Sequence, residues 1–147
     1  MLTKLLPDQV SAHWDIIKYA IQESLPPIAG EGPDKMNNIL TALLCSKAEC
    51  WISSVVEEEN RRLEGVIITK LQYDDISRTK NLLIYCLYGY EGVSTESWTS
   101  GLKSLVKYAS SKNCSRILAY TDIPYMIETA KKIGGEAKYV LCSFPLI

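Results

Sequence analysis

The chain has 147 residues, 47 % hydrophobic and 22 % charged, with 16 Lys+Arg against 17 Asp+Glu. That length suits one domain spanning 1–147, and the apolar content supplies a core and excludes a disordered tail. A pI near 5.9 lacks the basic footprint of a nucleic-acid binder, so nucleic acid is not the expected partner.

Charge is unevenly spread. Residues 1–100 carry 9 basic and 14 acidic side chains, and residues 101–147 carry 7 and 3. Lys103, Lys107, Lys112, Arg116, Lys131, Lys132 and Lys138 make up the basic last third. It reads as solvated helix faces or as a surface facing an anionic ligand or partner. The aromatic set is also skewed, with nine Tyr and three Trp against one Phe.

In chain order, a short extended start at 1–6 leads to Pro7 and Asp8, which open a helix with Val10, Trp14, Ile17 and Ile21 on one face. It stops at Leu25-Pro26-Pro27, and a Gly/Pro-rich loop follows. Pro33 suits the first turn of a second helix, with Met36, Ile39, Leu40 and Leu43 as its buried stripe. The period then changes. Residues 50–56 and 63–71 read as a β-hairpin with a charged tip, and the apolar run 82–88 as a central strand buried on both faces.

A helix is expected over 96–111, a strand over 116–120, and a helix from Pro124 to Ile133 closed by Gly134-Gly135. A last strand is expected over 137–142. The strand-helix-strand unit 82–120 requires a parallel crossover. The expected fold is therefore α/β (α+β): an antiparallel meander joined to a parallel β-α-β unit in one mixed sheet, flanked by about four helices.

Five cysteines, Cys45, Cys50, Cys86, Cys114 and Cys142, are odd in number and never form C-x-x-C. They read as reduced, buried small hydrophobes. The single histidine, His13, has no clustered Cys or His, so no metal site is expected. Neither a signal peptide nor a membrane span is legible, and a soluble, cytoplasmic chain with no membrane partner is the expectation.

The element order resembles that of the GNAT acetyltransferase superfamily over essentially the whole chain. The resemblance implies acetyl-CoA as cofactor, its pantetheine arm between the two parallel strands and its pyrophosphate at the start of the following helix. Independently, a helix N-terminus offers unpaired N–H donors and a partial positive charge. The implied cofactor residues are Ser94, Thr95, Thr99, Gly101 and Lys103, with Lys107 as a further cation. The family's R/Q-x-x-G-x-G/A motif keeps only its last glycine, Gly101: Glu96 stands at the opening position and Thr99 at the middle glycine. A carboxylate ~4 Å from a phosphate charge repels it by roughly 4 kcal/mol at an effective dielectric of about 20. The cradle reads as degraded.

The family's acid, a Tyr on the last helix that protonates the departing thiolate, is also missing. In register with the closing Gly134, its position holds Ala130. Tyr125 lies five residues upstream on another helix face. Tyr125 and Glu91 are the candidate catalytic groups, Glu91 as a base at the exit of the central strand. Glu64 is a second candidate base, its alternation with apolar neighbours placing it on a solvated strand face. His13 reads as a surface residue.

The stretches LPPIAGEGPDKMNNIL and KNLLIYCLYGYE are similar to small GNAT-like proteins of tailed bacteriophages. That likeness implies a non-catalytic virion or assembly component acting through protein partners, phage virion proteins or further copies of itself, in the host cytoplasm or the particle. On this reading there is no cofactor, and Tyr88, Tyr90 and Trp98 are partner anchors. The alternative is a divergent acetyl-CoA-dependent N-acetyltransferase acting on an amine. A cleft between strands 82–88 and 116–120 that is open, or filled by Trp98 and the tyrosines, separates the two.

Overall fold

The computed structural model describes residues 1–90 and 92–146. The elements run β1 (Leu2–Lys4), α1 (Pro7–Ala12), α2 (Trp14–Gln22), α3 (Lys35–Leu44), β2 (Glu49–Glu57), β3 (Asn60–Asp74), β4 (Thr79–Gly89), α4 (Thr95–Ser111), β5 (Arg116–Ala119) and α5 (Pro124–Lys132). The five strands form one sheet in sequence order, antiparallel except for the parallel pair β4 and β5.

The sheet has an apolar layer on each face. On one, Val10 of α1, Ile17 and Ile21 of α2 and Leu43 of α3 pack on Cys50, Val66, Ile68 and Cys86. On the other, Leu105 and Ala109 of α4, four residues apart on one helix face, cover Trp51, Ile67 and Leu82. Alternate residues of β2 and β3 therefore serve both layers, which explains the nearly continuous apolar runs of these strands.

Two expectations are corrected. The first helix divides at His13, whose ψ of 24° departs from helical backbone. Val10 and Ile17 remain in one core layer, so the sequence period runs straight through the break. The division makes five helices among the described residues. The strand expected over 137–142 does not form: residues 136–146 carry no secondary structure and are exposed. An extended segment needs a neighbour for its backbone N–H and C=O groups, and β5, the last strand in the sheet order, does not supply one here.

Two β-bulges shape the end of the sheet nearest α4. Ser53 faces Gly65 while Ser54 faces Leu63, leaving Glu64 as an extra residue on β3. Ile68 faces Cys86 while Thr69 faces Ile84, leaving Tyr85 extra on β4. Bulges bend a strand and re-aim side chains. The β4–β5 pairing ends at Ile84 and Ala119, immediately before Tyr85. Beyond it, where β5 itself ends, β4 continues to Gly89 with no strand on that side among the described residues.

Candidate functional site

The end of β4 that β5 does not pair leads into the N-terminus of α4. Ser94 caps this helix with extended backbone (φ −78°, ψ 161°), and its Oγ accepts the Ser97 N–H at 3.1 Å. The Trp98 N–H bonds to the Ser94 carbonyl at 3.0 Å. Among the described residues no partner is recorded for the Thr95 and Glu96 N–H groups. Two first-turn donors thus stay available, while the Ser97 donor is taken by the chain itself.

The Glu64 side chain occupies the space beneath this turn. It is 2 % exposed. Its Oε1 accepts from Ser97 Oγ at 3.0 Å and its Oε2 from Ser53 Oγ at 3.1 Å. The backbone joins in, because the Tyr90 N–H donates to the Glu64 carbonyl at 2.8 Å. The solvated position expected from alternation is therefore wrong. As the extra residue of the bulge, Glu64 leaves the simple pleat and turns toward α4, where the positive end of the helix dipole favours an acidic group.

The neighbouring Gly65 is required by close packing. A Cβ there would lie 2.8 Å from the Tyr88 carbonyl oxygen. Gly92, in the loop before α4, has φ +83°, a conformation suited to glycine. Arg62 crosses from β3 toward this loop, its guanidinium 3.5 Å from the Gly92 carbonyl and 3.3 Å from Glu57.

The other candidate residues are distributed as follows. Thr95 and Glu96 form the exposed first turn, and Thr99 Oγ1 is engaged with the Thr95 carbonyl at 2.9 Å. Gly101 has open space around the position of a Cβ. Lys103 and Lys107 are exposed and lie roughly 13 and 20 Å along the helix axis from Ser94 at 1.5 Å per residue. Tyr125 is 61 % exposed in the first turn of α5. Glu91 lies outside the described residues, and His13 is exposed between α1 and α2.

The tyrosines turn away from α4. Tyr85 and Tyr88 pack against the layer formed by α1, α2 and α3. Tyr88 meets Tyr19 and Tyr90 edge-on, with ring centroids 5.9 and 5.0 Å apart. Trp98 is half-buried, and its Nε1 is buried with no hydrogen-bond partner among the described residues.

No thiol is poised as a nucleophile in the sheet. Burial pushes the Cys50 thiol up to about 12, with Cys86 beside it adding to the rise, and pushes Cys86 up to about 11. All five cysteines are unpaired, and Cys45 and Cys142 are exposed, contrary to a uniformly buried set. Among the described residues, no cluster of three or more His, Cys, Asp or Glu could hold a metal, and no helix is long and apolar enough to cross a membrane.

A second buried carboxyl group lies further along α4. Glu49 accepts from Thr69 Oγ1 at 2.9 Å and from Tyr108 Oη at 2.8 Å, while the Trp51 indole donates to Thr69 Oγ1 at 2.9 Å. Burial and the bond to Glu49 hold the Tyr108 phenol well above its usual range. Sequence reasoning missed this group. The available signal was the pairing of Glu49, Trp51 and Thr69 across the hairpin beside a Tyr four residues beyond Ser104 on the expected helix.

A five-stranded mixed sheet whose parallel pair β4 and β5 is joined through a helix is the frame of the GNAT acetyltransferases, and the chain has that fold. It is similar to an aminoglycoside acetyltransferase from an uncultured soil metagenomic sample, solved with sisomicin (TM-score 0.70, 12 % identity, 100 % of this chain and 95 % of that one). It is similar also to a ribosomal-protein-alanine N-acetyltransferase from Brucella melitensis (0.66, 11 %, 99 % and 99 %). A predicted acetyltransferase from Clostridium acetobutylicum, solved with acetyl-CoA, gives 0.67 at 14 % identity, covering 99 % and 95 %. No family model and no curated relative matches by sequence.

The residues present do not make a good pyrophosphate cradle. The Ser97 N–H is used by Ser94, a buried carboxyl group lies directly below on the Ser97 hydroxyl, and Glu96 adds another carboxyl group in the same turn. Beyond Ile84 the β4 backbone is left unpaired by β5, and the α4 turn that follows carries Glu96 and rests on the buried Glu64 carboxyl group.

Proposed function

We propose that this chain uses the GNAT fold as a non-catalytic binding module, serving in a phage virion or its assembly. The observation that carries this reading is the Glu64 carboxyl group buried on Ser97 beneath the first turn of α4. Ala130 at the position of the family's acid points the same way. Its partners would be proteins, with no cofactor. Titration calorimetry with acetyl-CoA is the test, combined with mass spectrometry of a panel of amines incubated with the protein and acetyl-CoA. No binding up to about 1 mM, an affinity near −4 kcal/mol, and no acetylation are expected. Micromolar binding together with transfer to any amine would overturn the reading.

A second reading, a divergent N-acetyltransferase, is favoured by one observation: the β4 backbone beyond Ile84 is left unpaired by β5, on the strand that leads into the N-terminus of α4. Direct attack of an amine on the thioester would then be the chemistry, because the buried thiols are held in their protonated form. On this reading Lys103 and Lys107 help neutralise phosphate, and replacing both by Glu weakens acyl-CoA binding. Unchanged affinity would remove them from that role.

A further inference from the structure

Three tyrosines from two stretches of the chain meet on the face of the sheet away from α4. Tyr88, near the end of β4, touches Tyr19 of α2 and also Tyr90, edge-on in both contacts, with ring planes 84° and 89° apart. Tyr88 is anchored on the layer under α1, α2 and α3, whereas Tyr19 is 52 % exposed. Edge-on contact leaves ring surface uncovered. Ile16, three residues before Tyr19 on α2, is also exposed and widens the apolar surface. Tyr is a residue type that anchors partner surfaces. Trp98 takes no part, because it belongs to α4 on the other side of the sheet.

Two carboxylates border the rings. Asp15 and Glu23 stand four residues before and after Tyr19, so helical spacing brings all three to one face. Both are exposed, and among the described residues neither is in an ion pair. Glu23 is near enough to act on the rings: the Tyr19 hydroxyl, then burial, then Tyr90 and Glu23 hold the Tyr88 phenol above its usual range. Burial and Tyr19 do the same for Tyr90. The surface thus combines neutral, electron-rich rings with uncompensated negative charge. Both attract a cation, and Arg suits both at once, because its planar guanidinium stacks on a ring while its N–H fork reaches a carboxylate. The ammonium of Lys is compact and strongly hydrated, with neither the plane nor the fork.

We propose that the surface of Tyr19, Tyr88 and Tyr90 receives an arginine side chain of a partner protein, the guanidinium lying against the rings and pairing with Glu23 or Asp15, and Ile16 covering an apolar neighbour of that arginine. The inference rests on reading the chain as a protein-binding module and names the chemistry of its partner. A guanidinium stays protonated and is no nucleophile, so its capture implies no acyl transfer.

The test is an NMR titration of the full chain with the blocked peptide acetyl-Leu-Arg-Gly-amide. Saturable shifts of the Tyr19, Tyr88 and Tyr90 ring signals in the millimolar range are expected, absent with the citrulline peptide and about threefold weaker with the lysine peptide. Tyr19→Leu, at an exposed position, should weaken binding about fivefold, and Tyr19→Phe should keep it within about twofold. Asp15→Asn together with Glu23→Gln should weaken it about threefold and reduce its salt dependence. No saturable shift, equal binding of the citrulline or lysine peptide, or a Tyr19→Leu chain that binds as the parent does would each overturn the site. N-acetylarginine amide binding as tightly as the peptide would make the ligand a small guanidinium compound and overturn the partner. Acetyl-CoA binding with transfer to an amine, while the peptide shifts persist, would overturn the non-catalytic reading and leave this surface standing.

Discussion

Glu49 and Glu64 are both buried, both fastened by two hydroxyl groups, and both join the sheet to α4. Glu49 reaches the last turn of the helix through Tyr108. Its surroundings are Trp51, Thr69 and the apolar layer, and Lys4 and Lys112 flank the Tyr108 ring at 5.2 and 5.7 Å. Glu64 reaches the first turn through Ser97, beside the end of β4 that β5 does not pair. The same side chain is a strut in one place and a plug in the other. The difference comes from position: regular ladder pairing directs Glu49, opposite Thr69, and a bulge directs Glu64.

That contrast can be broken from its two ends. The largest effect is expected at Gly65, the residue on which the Glu64 bulge closes. Gly65→Ala brings a Cβ to 2.8 Å from the Tyr88 carbonyl, and backbone has to move. A loss of about 3 kcal/mol in urea unfolding is expected, in the range of overpacking. A loss below 1 kcal/mol would show that the two strands yield easily there.

Glu49→Ala comes next. It leaves the Tyr108 and Thr69 hydroxyls without their acceptor in a closed layer, which costs about 2–3 kcal/mol. Glu64→Gln keeps an acceptor for Ser53 or Ser97 and is expected to cost about 1 kcal/mol or less while removing the acidic plug. Measured side by side by chemical denaturation, equal losses would erase the distinction between strut and plug.

A smaller effect concerns the other core layer. The Cys50 and Cys86 thiols, pushed up to about 12 and 11 from 9.0, ionise less readily folded than unfolded. The stability they provide is complete below about pH 9 and is lost as pH rises toward 11–12. The urea midpoint should therefore fall across that window, and Cys86→Ala should flatten the fall; an identical slope would place its origin elsewhere. At neutral pH only the exposed Cys45 and Cys142 should react quickly with a thiol reagent.

The smallest change is a gain. Glu58 and Glu59 at the β2–β3 turn have φ of 48° and 70°, both left-handed, where a two-residue hairpin prefers Asn-Gly. Glu59→Gly should stabilise by about 1 kcal/mol. No gain in melting temperature would mean that the turn is supported by interactions that offset its backbone.

Much of the fold was legible because its cues are local and periodic. The Pro33 and Pro124 signals and the apolar run of β4 each marked an element close to its observed bounds, while the stripe Val10, Ile17, Ile21 marked the buried helical face without its break at His13. Glu64 was not legible, because a bulge carries no residue-type signature and reverses the face that alternation assigns. The strand expected over 137–142 failed for a different reason. Its side chains have strand character, but a strand requires a partner edge, and that is a property of the assembled surface. The weakened cofactor motif at Glu96 and Thr99 was readable, whereas the buried carboxyl group underneath required the three-dimensional register of β2, β3 and α4.

Trp98 adds a last consequence. Its indole N–H, buried beside the Glu64 turn without a partner among the described residues, leaves a polar group unsatisfied at one end of α4, while the Tyr108 end is fully bonded. An unmet donor of that kind costs about 1–3 kcal/mol. The helix is thus held unequally along its length, and amide hydrogen exchange should reach the Ser94 turn well before the Tyr108 turn, so that any opening of this fold starts at the Ser94 end.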